Sequence, residues 1–229
     1  MVGIFGGTFN PIHLGHLRAA EEVMEKLGLE HMIFIPSARP PHKTHESEII
    51  APAADRLDWV QRAIASNHHF RVDAIEMERP GPSYLVDTLT TLLEKHSAQD
   101  LVFILGQDAF SEMGDWKAPE QLFSMANFAV LVRPPARAGT LEDWTPECVR
   151  SDFSFSDDGL SARHRTTERW IRRVSIEALE ISSTRIRQRV SEGASLESWV
   201  PETIRTAIEN SPVYSTPSHP HQPNRENPV

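Results

Sequence analysis

The chain has 229 residues, 39% of them hydrophobic, and a formal net charge of −9 at pH 7. This length accommodates one large domain or two small ones, and the negative charge argues against charge-driven binding of nucleic acid, which needs an excess of lysine and arginine. No stretch approaches the roughly 20 apolar residues that span a bilayer, no basic leader precedes the first apolar run, and Cys148 is the single cysteine, so we expect a cytoplasmic protein without membrane contact.

Apolar periodicity predicts alternating strands and helices over the first 133 residues. Strands are predicted at 2–5, 31–36, 70–78, 101–106 and 128–133, and helices at 14–27, 52–67, 84–95 and 119–125. Several of these strands are continuous apolar runs, as is typical of parallel strands buried on both faces. We therefore predict an α/β fold, a Rossmann-like, doubly wound and mainly parallel sheet with helices on both faces. In such a sheet the ligand site lies beyond the carboxyl ends of the strands.

The second part of the chain is less regular. Periodicity fades between 134 and 169, where we predict an irregular excursion. A strand and then a helix follow in "RRVSIEALEISSTRIRQRVSEG", and Gly193 is expected to end that helix. A last helix is predicted at about 202–210. We expect a single domain over 1–214 and, because 215–229 is rich in Ser, Pro, His and Asn, a disordered tail.

The first candidate site is the stretch "GGTFNPIHLGH" at 6–16, between the first strand and the first helix. Glycines there let backbone N–H groups approach a phosphate, and the start of a helix favours negative charge. The spacing is neither the dinucleotide fingerprint nor the P-loop. His13 and His16 lie on one helical turn with Gly15 between them. They could hold a phosphate, ligate a metal or pack against the helix end, and H-x-x-H alone is a weak zinc signal.

The second stretch is "ISSTRIR" at 181–187, again between a strand and a helix. Ser182 or Ser183 can cap this helix. The free N–H groups of residues 184–185, with the side chains of Thr184 and Arg187, would then form an anion site. An ordinary capped helix with its arginines in solvent explains the same pattern equally well.

Taken together, these stretches make the sequence resemble the nucleotidyltransferases with an H-x-G-H motif, and among them the bacterial nicotinate-nucleotide adenylyltransferases. The matching residues follow the family order over about 2–214. They are "GGTFNPIHLGH" at 6–16, "PPHK" at 40–43, "GPSYLVDTL" at 81–89, "LGQDAF" at 105–110, Trp116, "RP" at 133–134 and "ISSTRIR" at 181–187. The H-x-G-H motif alone marks the nucleotidyltransferase superfamily, whereas the combination of these motifs is specific to the nicotinate-nucleotide adenylyltransferases.

The resemblance implies a nucleotidylyl transferase fold and a definite reaction. Such an enzyme transfers the adenylyl group of ATP to nicotinate mononucleotide, giving deamido-NAD and pyrophosphate in NAD biosynthesis. The triphosphate implies Mg²⁺, although no metal-ligand cluster is recognisable in the sequence. The oligomeric state stays open, a homo-oligomer included. Alternatives are an adenylyltransferase for nicotinamide mononucleotide or phosphopantetheine, and a nucleotide-binding module without catalysis.

The resemblance also implies roles for individual residues. Catalytic roles fall on His13, His16 and Arg187. ATP would contact these three and Gly7, Thr8, Phe9, Gly106, Asp108, Ser183 and Thr184. Nicotinate mononucleotide would contact Lys43, Tyr84, Leu85, Thr88, Trp116 and Arg133, with the Trp116 ring stacked on the pyridine. Leu85 stands where threonine is common in the family; a backbone contact would survive that change, but a hydroxyl contact would not.

Overall fold

The computed structural model of the chain describes residues 1–41, 49–133, 139–177 and 179–215. Lys43 and nearly all of the predicted tail lie outside these ranges. Ser215, which we predicted to begin the tail, instead ends a short helix.

Strands and helices alternate along the described chain. The strands are β1 (Val2–Gly7), β2 (His31–Pro36), β3 (Phe70–Val72), β4 (Leu101–Gly106), β5 (Asn127–Val132), β6 (Phe153–Phe155), β7 (Ser161–His164) and β8 (Trp170–Ser175). The helices are α1 (Leu14–Leu27), α2 (Ala53–Ile64), α3 (Leu85–Leu92), α4 (Gln107–Ser111), α5 (Pro119–Met125), α6 (Leu141–Trp144), α7 (Glu147–Arg150), α8 (Ser183–Ser191), α9 (Glu202–Glu209) and α10 (Pro212–Ser215), with a 3-10 turn at Met113–Asp115. Within the described ranges, no helix is long and apolar enough to cross a membrane.

The eight strands form one sheet in the order β3-β2-β1-β4-β5-β8-β7-β6. The first six strands in this order run parallel, and β7 and β6 extend the sheet antiparallel. This confirms the predicted mainly parallel α/β fold. The order reverses between β1 and β4, whose carboxyl ends therefore flank a crevice where ligands of such sheets bind.

Two apolar layers cover the two faces of the sheet. Because successive strand residues point to opposite faces, Phe5 packs with α1, α2, α8 and α9, whereas its neighbour Ile4 packs with α3 to α7. We call these the α1 side and the α3 side. Ile4 is fully buried and Phe5 is nearly so, which is why the apolar strand runs do not alternate with polar residues.

The predicted strand at 70–78 is wrong beyond Val72. The Asp73 carboxylate accepts a hydrogen bond from the Ile75 N–H at 3.0 Å, and the Met77 N–H donates to the Ala74 carbonyl at 2.7 Å. An aspartate that binds the N–H two residues ahead closes a turn. The turn carries the side chain of Glu76 into the interior, where it is 7% exposed.

The stretch predicted as irregular contains regular structure from residue 141 onward. Helices α6 and α7 are followed by the antiparallel pair β6 and β7, and β7 pairs with β8. These elements are only three or four residues long, too short for periodicity to detect. A sequence signal was present at one point, because Thr140 and Asp143 form a capping box at the start of α6.

Candidate nucleotide site

Two cavities lie at the carboxyl ends of β1 and β4, where the strand order reverses. One, of about 280 Å³, is lined on the α1 side by residues that include Phe5 and Gly106. The other, of about 300 Å³, is lined on the α3 side by residues that include Gly6 and Phe103. Since Phe5 and Gly6 are consecutive, the end of β1 separates the two cavities. A ligand with two halves could therefore lie across this strand end.

The α1-side cavity collects five of the predicted site residues. They are His13, His16, Gly106, Arg133 and Ser183. Gly106 leaves open space at the end of β4, because a Cβ added there would meet nothing within 4 Å. The cavity thus joins residues from both ends of the matched region of the sequence.

The two histidines form a stacked pair at the start of α1. Their ring centres are 3.7 Å apart, and the backbone N–H of His13 donates to Nδ1 of His16 at 3.3 Å. A neutral His16 ring that accepts at Nδ1 carries its proton on Nε2. Gly15 makes room for the pair, since a Cβ there would lie 3.0 Å from Nδ1 of His13.

Both histidines are neutral near pH 7. Burial, with the charge of Arg133 as a second cause, lowers the pKa of His13 to about 3. Burial, then His13 and Arg133, lowers the pKa of His16 well below its usual value. Neutral imidazoles still donate one hydrogen bond each. The pair is therefore suited to donating hydrogen bonds to an anion and not to carrying positive charge.

A buried arginine holds the turn that follows β1, and sequence analysis did not identify it. Arg56 of α2 is 1% exposed, and its guanidinium donates to the carbonyl oxygens of Thr8 at 2.6 Å, Ala51 at 2.9 Å and Ala38 at 3.3 Å. Phe9 follows with a positive φ of 46°. Phe9 as a whole is 3% exposed, and it packs in the core on the α1 side.

Helix α8 is joined to the same turn by hydrogen bonds. Ser183 Oγ donates to the Pro11 carbonyl, and Arg187 Nη1 donates to the Asn10 carbonyl, each at 2.9 Å. Ser182 caps the helix by accepting from the Arg185 N–H. Of the two N–H groups predicted to be free, that of residue 185 is used by this cap; among the described residues, the N–H groups of residues 183 and 184 have no partner. The first and last motifs of the sequence meet through these contacts.

Trp199 also links the two motifs, and nothing in the sequence pattern indicated it. Its carbonyl accepts a hydrogen bond at 3.0 Å from the N–H of Leu14, the first residue of α1. The guanidinium carbons of Arg185 and Arg189, both on α8, lie 5.1 and 4.8 Å from the centre of its ring. Trp199 therefore contacts both the start of α1 and helix α8.

The α3-side cavity collects six other predicted residues. They are Gly7, Thr8, Tyr84, Leu85, Thr88 and Trp116. Thr88 is 1% exposed, donates to Glu76 at 2.7 Å and accepts from Arg79 at 3.2 Å. Its hydroxyl therefore holds the turn against α3. Glu76, Glu112 and Lys117 line the same cavity and were not predicted.

Besides the buried Phe9, three predicted residues that the structure describes line neither cavity. Asp108 is exposed in the first turn of α4. Thr184 and Arg187 lie on α8, where Arg187 Nη2 is 3.4 Å from the Thr184 hydroxyl. Within the described ranges, no three histidine, cysteine, aspartate or glutamate residues lie close enough together to hold a metal ion.

The chain is similar in sequence and in fold to known proteins. Residues 4–189 match the family model described as cytidylyltransferase-like. A protein from Geobacter sulfurreducens named "Probable nicotinate-nucleotide adenylyltransferase" is 38% identical, covering 93% of this chain and 97% of its own length. A protein of the same name from Trichlorobacter lovleyi is 41% identical, with 93% and 98% covered.

Solved structures show the same fold at low sequence identity. The Plasmodium falciparum nicotinic acid mononucleotide adenylyltransferase complexed with NaAD superposes with a TM-score of 0.68 at 16% identity, covering 94% of this chain and 98% of that one. The same enzyme complexed with APC gives a TM-score of 0.64 at 15% identity, with the same coverage. These matches extend over nearly the whole described fold.

Proposed function

Because this chain belongs to the cytidylyltransferase-like family and to its nicotinate-nucleotide adenylyltransferases, we propose that its two cavities hold the two nucleotides of that reaction. The enzyme transfers the adenylyl group of ATP to nicotinate mononucleotide, which yields deamido-NAD and pyrophosphate for NAD biosynthesis. The observation that carries the assignment of the cavities is their position on either side of the end of β1. The product is a dinucleotide, and its phosphates would cross the strand end at Gly7.

The reaction needs alignment and charge stabilisation more than proton transfer. A phosphate oxygen of nicotinate mononucleotide attacks the α-phosphorus of ATP, a new P–O bond forms, and the bond between the α-phosphorus and the bridging oxygen breaks as pyrophosphate leaves. The attacking phosphate is already ionised at neutral pH, so no general base is required. Donors fixed where charge develops supply the stabilisation, and the neutral His13 and His16 are such donors.

On this proposal the α1-side cavity holds adenosine and the phosphates of ATP. The Nε2–H of His16 donates to a phosphate oxygen, and the backbone at Gly7, Thr8 and Phe9 follows the phosphates. The free N–H groups at the start of α8, with Ser183, Thr184 and Arg187, bind the β- and γ-phosphates. Gly106 and Asp108 hold the ribose. The hydrogen bonds between α8 and the Asn10–Pro11 backbone support this, because they fix the two anion-binding elements relative to each other.

Nicotinate mononucleotide would then occupy the α3-side cavity. Trp116 stacks on the pyridine ring, and the ring carboxylate receives hydrogen bonds from the first turn of α3, which follows Tyr84. In the described structure the backbone N–H groups of Leu85 and Val86 have no protein partner, which supports this assignment. Thr88 would act by holding this turn. Lys43 and Arg133 are proposed to meet phosphates of the substrates.

Magnesium would arrive with the triphosphate. The donor set agrees with this, because the described residues offer no carboxylate cluster and Mg²⁺ commonly keeps several waters while binding to substrate phosphates. When bound, the ion neutralises phosphate charge. We also propose a cytoplasmic enzyme whose residues 1–214 form a single domain; its one continuous sheet supports the latter.

The test is a product assay. We expect the purified chain, incubated with ATP, Mg²⁺ and nicotinate mononucleotide, to form deamido-NAD and an equal amount of pyrophosphate. Parallel reactions replace the acceptor with nicotinamide mononucleotide or phosphopantetheine. Adenylation of phosphopantetheine alone would assign a different substrate, and ATP binding without product in any reaction would indicate a nucleotide-binding module.

A further inference from the structure

Lys117 lines the α3-side cavity and has no part in the reaction as described above. It follows Trp116 directly, and its Nζ lies 3.0 and 3.1 Å from the two carboxylate oxygens of Asp87. The same atom is 4.7 Å from the centre of the Tyr84 ring. Asp87 is the third residue of α3. The ammonium group is therefore held beside the first turn of that helix.

The charges of the cavity wall are unfavourable for an anionic ring. Nicotinate and nicotinamide mononucleotides differ in one group, a carboxylate in place of a carboxamide. Glu76 and Glu112 both line the cavity, and carboxylates accept hydrogen bonds from an amide NH₂ but repel another carboxylate. Glu76 Oε2 is buried without a hydrogen-bond partner in the described structure. Of the lining residues that the structure describes, Lys117 is the one with a positive charge.

We propose that Lys117 is a specificity-determining residue, whose ammonium attracts the ring carboxylate and so favours nicotinate over nicotinamide mononucleotide. The inference rests on the function proposed above. Asp87 acts as a positioning residue, because it accepts from Nζ with both oxygens and keeps the ammonium at the cavity. Leu85 lines the same cavity with an apolar side chain, so among the described lining residues the positive charge comes from Lys117.

The expected size of the effect follows from exposure. The Lys117 side chain is 49% exposed and that of Asp87 35%, so water and salt screen the attraction. Pairs of exposed charges contribute up to about 1 kcal/mol, which corresponds to roughly a fivefold change in affinity. We expect the selectivity for nicotinate to fall by up to about fivefold when the charge is removed.

The experiment compares Lys117→Gln with the unaltered chain. The kcat/KM values for nicotinate and nicotinamide mononucleotides are measured at low and high salt. Their affinities without ATP are measured by calorimetry. Lys117→Arg keeps the charge, and Lys95→Gln removes the same charge from an exposed position after the end of α3. We expect Lys117→Gln to lose selectivity because its kcat/KM for nicotinate mononucleotide falls while that for nicotinamide mononucleotide does not. Lys117→Arg should keep most of the selectivity, and Lys95→Gln should match the unaltered chain.

Salt and Glu112 provide two further readouts. Selectivity of the unaltered chain should decline as salt rises, whereas that of Lys117→Gln should not decline. Glu112→Gln should raise selectivity, because it removes a negative charge from the same wall. If Lys117→Gln lowers kcat/KM by the same factor for both mononucleotides, the residue only supports Tyr84 and the proposal is overturned. It is also overturned if neither value changes.

Failure of the proposed function is distinguishable from failure of this inference. If the unaltered chain binds both mononucleotides but forms no dinucleotide, the catalytic assignment is wrong, and the calorimetric ratios for Lys117→Gln still decide the role of the lysine. If the unaltered chain binds neither mononucleotide, both proposals are overturned.

Discussion

The two cavities at the end of β1 are built in different ways. On the α1 side of the sheet, Arg56 and Arg187 hold the turn that follows β1 by hydrogen bonds to its backbone, from the buried Arg56 to Thr8 and from the half-buried Arg187 to Asn10. The α3-side cavity has an apolar wall with a few charged side chains at its edge, among them Glu112 and Lys117, which are exposed. The backbone on the α1 side is therefore fixed by hydrogen bonds, whereas the charged side chains at the edge of the α3-side cavity can be changed without disturbing the core.

This contrast agrees with the nucleotide that we propose for each cavity. Phosphates are common to every nucleotidyl transfer, and a transition state is stabilised best by donors that do not move. The acceptor differs from one transferase to another, and a half-exposed side chain can change without disturbing the core. Substitutions on the α1 side should therefore affect turnover and stability, whereas those on the α3 side should affect the choice of acceptor.

The largest effect is expected at His16. We expect His16→Ala to lower kcat about 100-fold or more, because it removes the Nε2–H donor to a phosphate oxygen, with little change in the KM for nicotinate mononucleotide. His16→Gln places an amide donor near the same position and should recover part of the loss. His68→Ala, at an exposed histidine, is the control. Steady-state kinetics would contradict the assignment if His16→Ala turned over normally.

Arg56, which packs on the α1 side, tests whether the turn that follows β1 is rigid. We expect Arg56→Met to lower the free energy of unfolding by about 3 kcal/mol, since three carbonyls lose a charged donor in a buried place, and to lower kcat as the Thr8 turn moves. Arg62→Met, on the same helix but exposed, should change stability by less than about 1 kcal/mol. Urea unfolding gives both values, and equal losses in the two variants would show that burial of Arg56 is unimportant.

The histidine pair predicts how stability depends on pH. The pKa of His13 is about 3 in the folded chain and about 6.5 when unfolded, so between these values the unfolded state binds a proton that the folded state does not. Stability is therefore lost as pH falls below about 6.5, by about 2 kcal/mol at pH 5 for this group. His13→Gln should remove that part of the pH dependence. Parallel unfolding curves for both proteins from pH 7 to 5 would contradict the lowered pKa.

The sequence predicted the parts of this molecule that depend on local pattern and on chemically distinctive residues. Helix α1 has the bounds that its apolar spacing indicated, 14–27. His13, His16 and Ser183 were singled out because glycines, histidines and hydroxyls next to strand ends can bind an anion, and the structure brings these three residues to one cavity. The same reasoning located the strand ends at which both cavities lie.

What could not be predicted depends on contacts through space. Arg56 looks like any charged residue of an amphipathic helix, and its partner Thr8 lies 48 positions away. Glu76 reaches Thr88 only because the chain turns at Asp73 instead of continuing as a strand. Lys117 is one of many exposed lysine and arginine residues until the cavity is known. Such roles are set by tertiary packing, which overrides local pattern.

The smallest expected effect, and the most direct test of adjustability on the α3 side, is at Leu85. Leu85→Thr restores the hydroxyl that is common at this position in the family, on a residue that is only partly buried. If the backbone N–H of residue 85 binds the ring carboxylate, the added hydroxyl should lower the KM for nicotinate mononucleotide by no more than about threefold, with kcat and the KM for ATP unchanged. Leu85→Val provides a β-branched control without a hydroxyl. A large fall in kcat for Leu85→Thr but not for Leu85→Val would mean that this wall is as rigid as the α1 side, and the contrast between the two cavities would fail.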